Sequence, residues 1–306
     1  MGLEMRNPEA WPPLPLEAWK ETYETLHMWT QIVGKIRLKL TPHLNHWWEA
    51  PFYLTSRGLT TGPIPFGDRT FDATFDFIDH VLTFQTAEGR TETVALRPRS
   101  VADFYCDVMV TLQRLAIDVR IWTMPVEVPA PIRFTADHRH AAYEAASAHR
   151  WWRILLRADA VFKEFRARFI GKASPVHFFW GSFDLAVTRF NGRRNTELSP
   201  TADKITREGY SHEVSSCGWW PGSGSLTAPA FYSYAAPEPD GFKDARVAAP
   251  AYYSEEFNNF LLPYDAVRSV ADPETMVLEF LQSTYEAAAT TAAWDRATLE
   301  RPPDRF

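Results

Sequence analysis

The apolar residues near the start of the chain recur at helical spacing and predict an amphipathic helix. The stripe consists of Leu16, Trp19, Tyr23, Leu26 and Val33. Such a stripe marks the face of a helix that packs on a core, and Gly34 predicts where this helix ends. Residues 35–40 then alternate strictly between basic and apolar side chains, which predicts a half-buried strand with a basic outer face.

Alternation with a period of two continues after this point and predicts several antiparallel strands. A strand is expected at 50–56, and a loop rich in Gly and Pro follows it. Apolar and polar residues alternate from Phe71 to Phe77, which predicts a third strand. Strands at 81–86 and 91–96 flank the Glu88-Gly89 turn. Together these elements form an antiparallel meander.

Helical periodicity returns twice after the meander. Ser100 predicts a helix start, because Asp103 stands three residues later as in a capping box. A second, longer helix is expected at 141–170, where aromatic and aliphatic residues recur at steps of four and three.

Two sets of repeated words indicate an internal duplication. His46-Trp-Trp and His177-Phe-Phe are each followed by two apolar residues at the same spacing. The words Arg99–Asp103 and Arg268–Asp272 are identical, and each stands before a predicted helix. The alternative is that two α+β segments used the same helix-start word independently. Pro273 suits a first helical position, so Asp272 competes with Ser269 as the cap of the later helix.

The fold class predicted from these patterns is α+β, with antiparallel sheets covered by helices. The first α+β half is expected at 1–130 and the second at 131–306, packed as one unit and related by a pseudo-two-fold axis. A Gly/Pro-rich insertion at 195–250 makes the second half longer, and such insertions are often functional loops. The tail from 291 to 306 is expected to be only loosely attached.

Composition and charge exclude several classes of protein. A chain of 306 residues with a net charge of −6 lacks the basic face that nucleic-acid binding requires. No apolar run approaches the roughly 18 residues of a membrane-spanning helix. Residues 1–15 do not resemble a secretory signal. The two cysteines, Cys106 and Cys217, fit a reducing compartment, with Cys106 expected in the core, so a cytoplasmic protein is predicted.

Tryptophan is unusually abundant in this chain. The sequence contains twelve, and three adjacent pairs occur at 47–48, 151–152 and 219–220. Large aromatic residues mostly fill cores. The alternative is that some of these rings stack on a planar ligand.

The segment from His177 to Arg194 combines aromatic and ionisable residues and is the strongest candidate for a functional site. The candidates for catalysis are His177, Asp184, His212 and Glu213. The candidates for ligand binding are His46, Trp47, Trp180, Arg189, Arg193 and Trp219.

Each kind of candidate has an alternative structural interpretation. A histidine that begins an apolar strand is often a buried, hydrogen-bonded residue, and a turn at Gly181-Ser182 would be needed to bring His177 near Asp184. The arginines around Asn191-Gly192, a tight-turn dipeptide, are either anion ligands or solvated ion pairs. His212-Glu213 could supply a general acid/base pair.

No metal or cofactor is expected. The closest histidine spacings, His43-x-x-His46 and His138-x-His140, do not form a zinc pattern. The fingerprints of phosphate-binding loops, dinucleotide-binding folds and serine hydrolases do not occur in the sequence.

Several long words resemble those of a family of bacterial proteins of unknown function, DUF5996. They are His177–Arg193, His212–Gly222, Trp11–Pro15, Trp19 with Leu26-His27, Pro229–Tyr232 and Pro237–Pro239. The resemblance spans nearly the whole chain and implies a complete, bacterial, single-unit protein. It implies no activity, because the family has none assigned.

The leading functional hypothesis is an enzyme or binding protein for a small polar or anionic organic molecule in a cleft lined by Trp, His and Arg. The alternative is a structural or protein-interaction module whose aromatic residues form the core. The sequence leaves the ligand, the reaction and the oligomeric state open.

Overall fold

The structure is a computed structural model, and it describes residues 10–302. Two predictions fall partly outside the described residues. They are the absence of a secretory signal at 1–15, of which 1–9 lie outside, and the loose tail at 291–306, of which 303–306 lie outside. The helices are α1 (Leu16–Leu40), α2 (Val101–Arg114), α3 (Ala145–Ala167), α4 (Lys204–Gly209), α5 (Tyr264–Arg268), α6 (Pro273–Thr291) and α7 (Arg296–Leu299). Short 3-10 turns occur at Asn45–Trp47 and Phe134–Ala136.

Twelve strands alternate with these helices along the described chain. They are β1 (Tyr53–Leu54), β2 (Gly58–Thr60), β3 (Ile64–Phe66), β4 (Arg69–Asp76), β5 (Val81–Thr86), β6 (Thr91–Ala95), β7 (His177–Phe179), β8 (Asp184–Arg194), β9 (His212–Trp220), β10 (Ala230–Ala236), β11 (Tyr252–Ser254) and β12 (Asn259–Pro263). The predicted α+β class with antiparallel sheets is confirmed.

The chain divides into two compact units. The N-terminal unit consists of Leu14–Arg153 with Phe178–Phe183. The C-terminal unit consists, among the described residues, of 10–13, 154–177 and 184–302.

The sheet of the N-terminal unit has the strand order β1-β2-β4-β5-β6, and β3 also pairs with β4. The meander predicted at 71–96 is confirmed by the antiparallel ladders of β4 with β5 and of β5 with β6. The core of this unit is aromatic: Trp29 of α1 stacks on Phe104 of α2 with ring centroids 4.5 Å apart. Ser100 caps α2 by accepting a hydrogen bond from the Asp103 N–H, as predicted.

The second sheet has the order β11-β12-β10-β9-β8-β7. Helix α6 packs on β9, β10 and β12, and Phe231 of β10 meets Phe162 of α3 edge to face. Residues 195–250 were predicted to be a Gly/Pro-rich insertion of functional loops. This is wrong in part, because the segment contributes β9 and β10, two inner strands of this sheet. Small residues such as Ser215, Ser216 and Gly218 made these strands look like loop sequence.

Helix α1 is longer than predicted, and the strand expected at 35–40 is wrong. The helix continues to Leu40 and ends before Pro42, which disfavours helical backbone in the residue before it. Gly34 is not a helix terminus. It lies against the indole of Trp180, where a Cβ atom would collide with that ring. The glycine thus serves close packing, and Lys35 and Arg37 lie on a helix.

Two further predictions around loops need correction. Asn191-Gly192 does not form the tight turn that this dipeptide indicates, because both residues lie within β8 at a register shift between Phe190 and Arg194. Gly192 adopts a φ of 90° there, and glycine is the usual residue for such a bulge. The tail is also attached as far as Arg301. The N–H groups of Ile170 and Gly171 both donate to the Leu299 carbonyl, and the Arg301 N–H donates to the Arg168 carbonyl.

The repeated Arg-Ser-Val-Ala-Asp words differ in local structure. Ser100 caps α2, whereas Asp272 caps α6 by accepting from the Thr275 N–H and Ser269 ends α5. His46 lies in a 3-10 turn, whereas His177 begins β7. The internal duplication therefore remains a prediction. Cys106, expected in the core, is exposed.

Most of the tryptophans are buried, as core packing requires. Trp219 is fully buried, whereas its neighbour Trp220 is only half-buried, since adjacent strand residues point to opposite faces. No helix within residues 10–302 is long and apolar enough to cross a membrane.

Candidate functional site

The predicted site residues are divided between the two units. His46, Trp47 and Trp180 belong to the N-terminal unit. The C-terminal unit contains His177, Asp184, Arg189, Arg193, His212, Glu213 and Trp219.

In the N-terminal unit, the loop that follows α1 has an unusual backbone. His46 and Trp47 both adopt left-handed φ angles, 60° and 59°. This conformation is costly for residues with a side chain, and it is found preferentially where a loop serves a ligand or a switch. Trp180 joins the loop to α1, because its indole N–H donates to the Ala50 carbonyl at 2.8 Å while its ring covers Gly34.

This loop closes around a buried carboxylate. Glu49 is only 1% exposed. One of its oxygens lies 2.7 Å from His43 Nδ1, and the other accepts from the Leu44 N–H at 3.1 Å. Both oxygens of Glu49 are therefore engaged within the loop itself.

Helix α1 carries two buried cations. Arg37 and Lys35 are each 7% exposed. The Nε and Nη1 atoms of Arg37 are buried, and no group among residues 10–302 accepts a hydrogen bond from them. The Cζ atom of Arg37 lies 5.3 Å from the centre of the Tyr53 ring. Burial lowers the pKa of Arg37, and the Tyr53 hydroxyl and the charge of Glu49 partly oppose this shift.

In the C-terminal unit, His177 and Asp184 lie on neighbouring strands. The chain turns near Gly181-Ser182, because β7 ends at Phe179 and β8 begins at Asp184. Asp184 accepts a hydrogen bond from the Tyr232 hydroxyl. Burial, followed by the charge of Asp184, raises the pKa of Tyr232 well above its usual value. Tyr232 is therefore a neutral donor at all physiological pH values.

Arg189 is enclosed by aromatic rings and is 1% exposed. Its Cζ atom lies 3.5 Å from the centre of the Phe165 ring and 4.2 Å from that of Tyr285. Its Nη2 donates to the Phe165 carbonyl in the last turn of α3. The carbonyls of a last turn lack helical partners and carry partial negative charge. This arrangement gives Arg189 a structural role at the end of α3.

The structure brings Arg193 and Glu213 together. Arg193 Nη2 lies 2.7 Å from Glu213 Oε2, and Asn191 Nδ2 donates to the same oxygen at 2.6 Å. Arg193 also donates to the Ala292 carbonyl at the end of α6, at 2.6 Å. The guanidinium group of Arg193 is thus already neutralised.

Arg193 and Glu213 lie in the wall of a pocket of about 200 Å³. The other wall residues are Glu197, Val214, Ala235, Pro237, Glu238, Pro239, Ala288, Ala292 and Trp294. Three carboxylates face one paired arginine, and the carboxyl end of α6 adds negative potential. This pocket therefore disfavours an anionic ligand.

The remaining predicted residues do not converge. His212 and Glu213 are adjacent on β9, so their side chains point to opposite faces of the sheet. His212 Nδ1 lies 3.1 Å from the Ser211 hydroxyl. Trp219 is fully buried and meets Tyr264 edge to face, with centroids 6.1 Å apart. Within the described residues, no group of three or more His, Cys, Asp and Glu side chains could hold a metal ion.

Comparison with known proteins assigns the chain to a family. The model of a family described as a family of unknown function, DUF5996, matches residues 11–301. The chain belongs to DUF5996. No curated protein and no solved structure is significantly similar to this DUF5996 chain.

Sequence reasoning missed the burial of Lys35 and Arg37 in this DUF5996 protein. It placed both on the outer face of a strand, where basic residues are usually solvated. The sequence does contain a signal that the helix continues past Gly34. His27, Gln31 and Lys35 follow one another at steps of four, as residues on one helix face do. A helix at 35–40 places Lys35 on the same face as these two polar residues.

Proposed function

We propose that this protein binds a small anionic organic molecule and that Arg37 on α1 supplies the positive charge. The observation that carries the proposal is the buried guanidinium group whose Nε and Nη1 donors have no acceptor among residues 10–302. A buried cation with unsatisfied donors destabilises a fold unless an anion compensates it. A ligand anion would provide this compensation.

The described part of the protein compensates the charge of Arg37 only in part. No carboxylate within residues 10–302 forms an ion pair with Arg37. The charge of Glu49 partly opposes the lowering of the Arg37 pKa, but Glu49 uses both of its oxygens within its own loop. Arginine remains protonated in proteins, so its charge is present at neutral pH.

The class of ligand follows from the guanidinium group and its surroundings. Its planar donors match the two oxygens of a carboxylate or a phosphate. The left-handed backbone at His46 and Trp47 supports a role for the neighbouring loop in holding such a ligand. The tryptophans of this loop offer flat apolar surface to the remainder of an organic molecule.

Binding has more support than catalysis. His212 and Glu213, the predicted pair for proton transfer, point to opposite faces of β9. Several broader properties remain part of the proposal. The net charge of −6 supports a partner other than nucleic acid, and the scarcity of cysteine supports a cytoplasmic protein. The words shared by the two halves support an origin by duplication, and the family resemblance supports a bacterial source.

Thermal unfolding tests the proposal with succinate and inorganic phosphate as probes. Each probe is compared with sodium chloride at equal ionic strength, so that a general salt effect is removed. The melting temperature of the wild type is expected to rise with at least one probe, because a ligand at 100 times its Kd stabilises the folded state by about 2.7 kcal/mol. The rise should be absent in Arg37→Met.

Lys39→Met is the matched control, because Lys39 is an exposed cation on the same helix. This variant should retain the full rise in melting temperature. An equal rise in Arg37→Met, or no rise in the wild type with either probe, would contradict the proposal.

A further inference from the structure

One face of α1 carries a row of buried polar residues. His27, Gln31 and Lys35 follow one another at steps of four and therefore share this face. His27 Nε2 lies 2.8 Å from the Gly181 carbonyl. Gln31 Nε2 donates to the Val126 carbonyl at 2.8 Å, and its Oε1 accepts from the Val126 N–H at 2.9 Å. Gln31 thereby fixes the chain segment around Val126 on this face.

Lys35 ends the row under the same segment. Its Nζ atom lies 4.8 Å from the centre of the Trp122 ring, four residues before Val126. Trp122 is 64% exposed, so the amine lies beneath a surface side chain and not in the deep core. No salt bridge or hydrogen bond to Lys35 Nζ occurs within residues 10–302, whereas Lys163 is paired with Asp159 at 2.6 Å.

Burial of Lys35 increases the fraction of the amine that is neutral near pH 7.5. Burial lowers the pKa of Lys35 to about 8, and no charged neighbour contributes to the shift. Burial also lowers the pKa of His27 to about 4 and keeps its imidazole uncharged at neutral pH. A neutral lysine is a nucleophile, whereas an ammonium group is not.

We propose that Lys35 is a nucleophilic amine that condenses with a small aldehyde or 2-oxo acid to form an imine. The amine nitrogen attacks the carbonyl carbon, and the carbonyl oxygen takes up a proton to give a carbinolamine. Loss of that oxygen as water forms the C=N bond, so one water is released and no electrons are transferred. The site is separate from the proposed contact of Arg37, because residues two apart on a helix point in different directions.

Reductive trapping tests this inference on the folded protein. The full chain is incubated with glyoxylate and cyanoborohydride at pH 7.5, and the modified lysines are located and timed by peptide mass spectrometry. The hydride reagent reduces the imine to a stable secondary amine. Lys35 is expected to be modified on the order of ten-fold faster than Lys39, since its larger neutral fraction outweighs its lower intrinsic basicity.

Two variants test whether the fast modification depends on the Lys35 amine and whether it is independent of Arg37. Lys35→Arg keeps a cation at this position and should lose only the fast modification, while Lys39 reacts at its wild-type rate. Arg37→Met should retain the fast modification, which separates this inference from anion binding. Modification of Lys35 at the rate of Lys39, or only after unfolding in urea, would overturn the inference.

Discussion

Replacing Arg189 by alanine is expected to lower the free energy of unfolding by about 3–5 kcal/mol. The side chain is 1% exposed, and it fills the space between the Phe165 and Tyr285 rings. Alanine leaves a cavity and removes the donor to the Phe165 carbonyl at the end of α3. Equilibrium unfolding in urea, followed by tryptophan fluorescence and by circular dichroism, measures the loss.

Arg189→Met separates the packing contribution from that of the charge. Methionine has a similar length, fills space between aromatic rings and introduces no cation to desolvate. We expect Arg189→Met to lose only about 1–2 kcal/mol, mainly from the missing hydrogen bond to Phe165. A loss below about 1 kcal/mol in Arg189→Ala would show that the rings and the helix end do not depend on this arginine.

Replacing Lys35 by methionine is expected to have the opposite effect and to raise the free energy of unfolding at pH 7 by about 1–3 kcal/mol. Burial lowers the pKa of Lys35 from 10.5 in the unfolded chain to about 8 in the folded protein. The folded state therefore holds the proton less tightly than the unfolded state. The charged amine destabilises the fold at every pH below about 8, and the cost fades as the pH rises from 8 to 10.5.

Measuring the stability gain of Lys35→Met at two pH values tests whether the charged amine destabilises the fold. Urea unfolding of Lys35→Met and of the wild type at pH 7 and pH 10 should show a large gain at the lower pH and a small one at the higher pH. Lys39→Met, which removes an exposed cation of the same helix, should show neither. A Lys35→Met variant that is less stable than the wild type at pH 7 would contradict the account.

These two predictions differ in sign because the buried cations Arg189 and Lys35 have different acceptors and rings around their charges. Arg189 has one buried donor without an acceptor within residues 10–302, its Nε, but its Nη2 has a carbonyl acceptor and two ring faces lie close to its charge. Lys35 has one ring and no acceptor within residues 10–302, and Arg37 has two buried donors without acceptors there. Residues that destabilise a fold are retained most readily where they serve a function.

Local sequence was sufficient to predict much of the fold. The alternation from Phe71 to Phe77 and the turn at Gly89 predicted β4 and its meander, because period-two burial needs no information from distant residues. The Ser100 cap was equally local, since its partner stands three residues away. The inner strands β9 and β10 were missed because their small residues resemble loop sequence.

The helix at 35–40 could not be predicted in this way. Alternating basic and apolar residues fit a half-buried strand, and Gly34 fits a helix end equally well as a packing site. The contact of Gly34 with Trp180, 146 positions away along the sequence, decides between them. Because the strand was preferred, Lys35 and Arg37 were placed in solvent, and the two cations on which the proposed site rests were missed.

The central claim is that Arg37 is buried for the sake of an anionic ligand. Calorimetric titration of succinate and of inorganic phosphate into the wild type, Arg37→Met and Lys39→Met, at constant ionic strength, tests it most directly. The account predicts saturable binding of at least one probe to the wild type and to Lys39→Met, with affinity at least ten-fold weaker in Arg37→Met. Equal affinity in all three proteins, or no binding of either probe to the wild type, would contradict it.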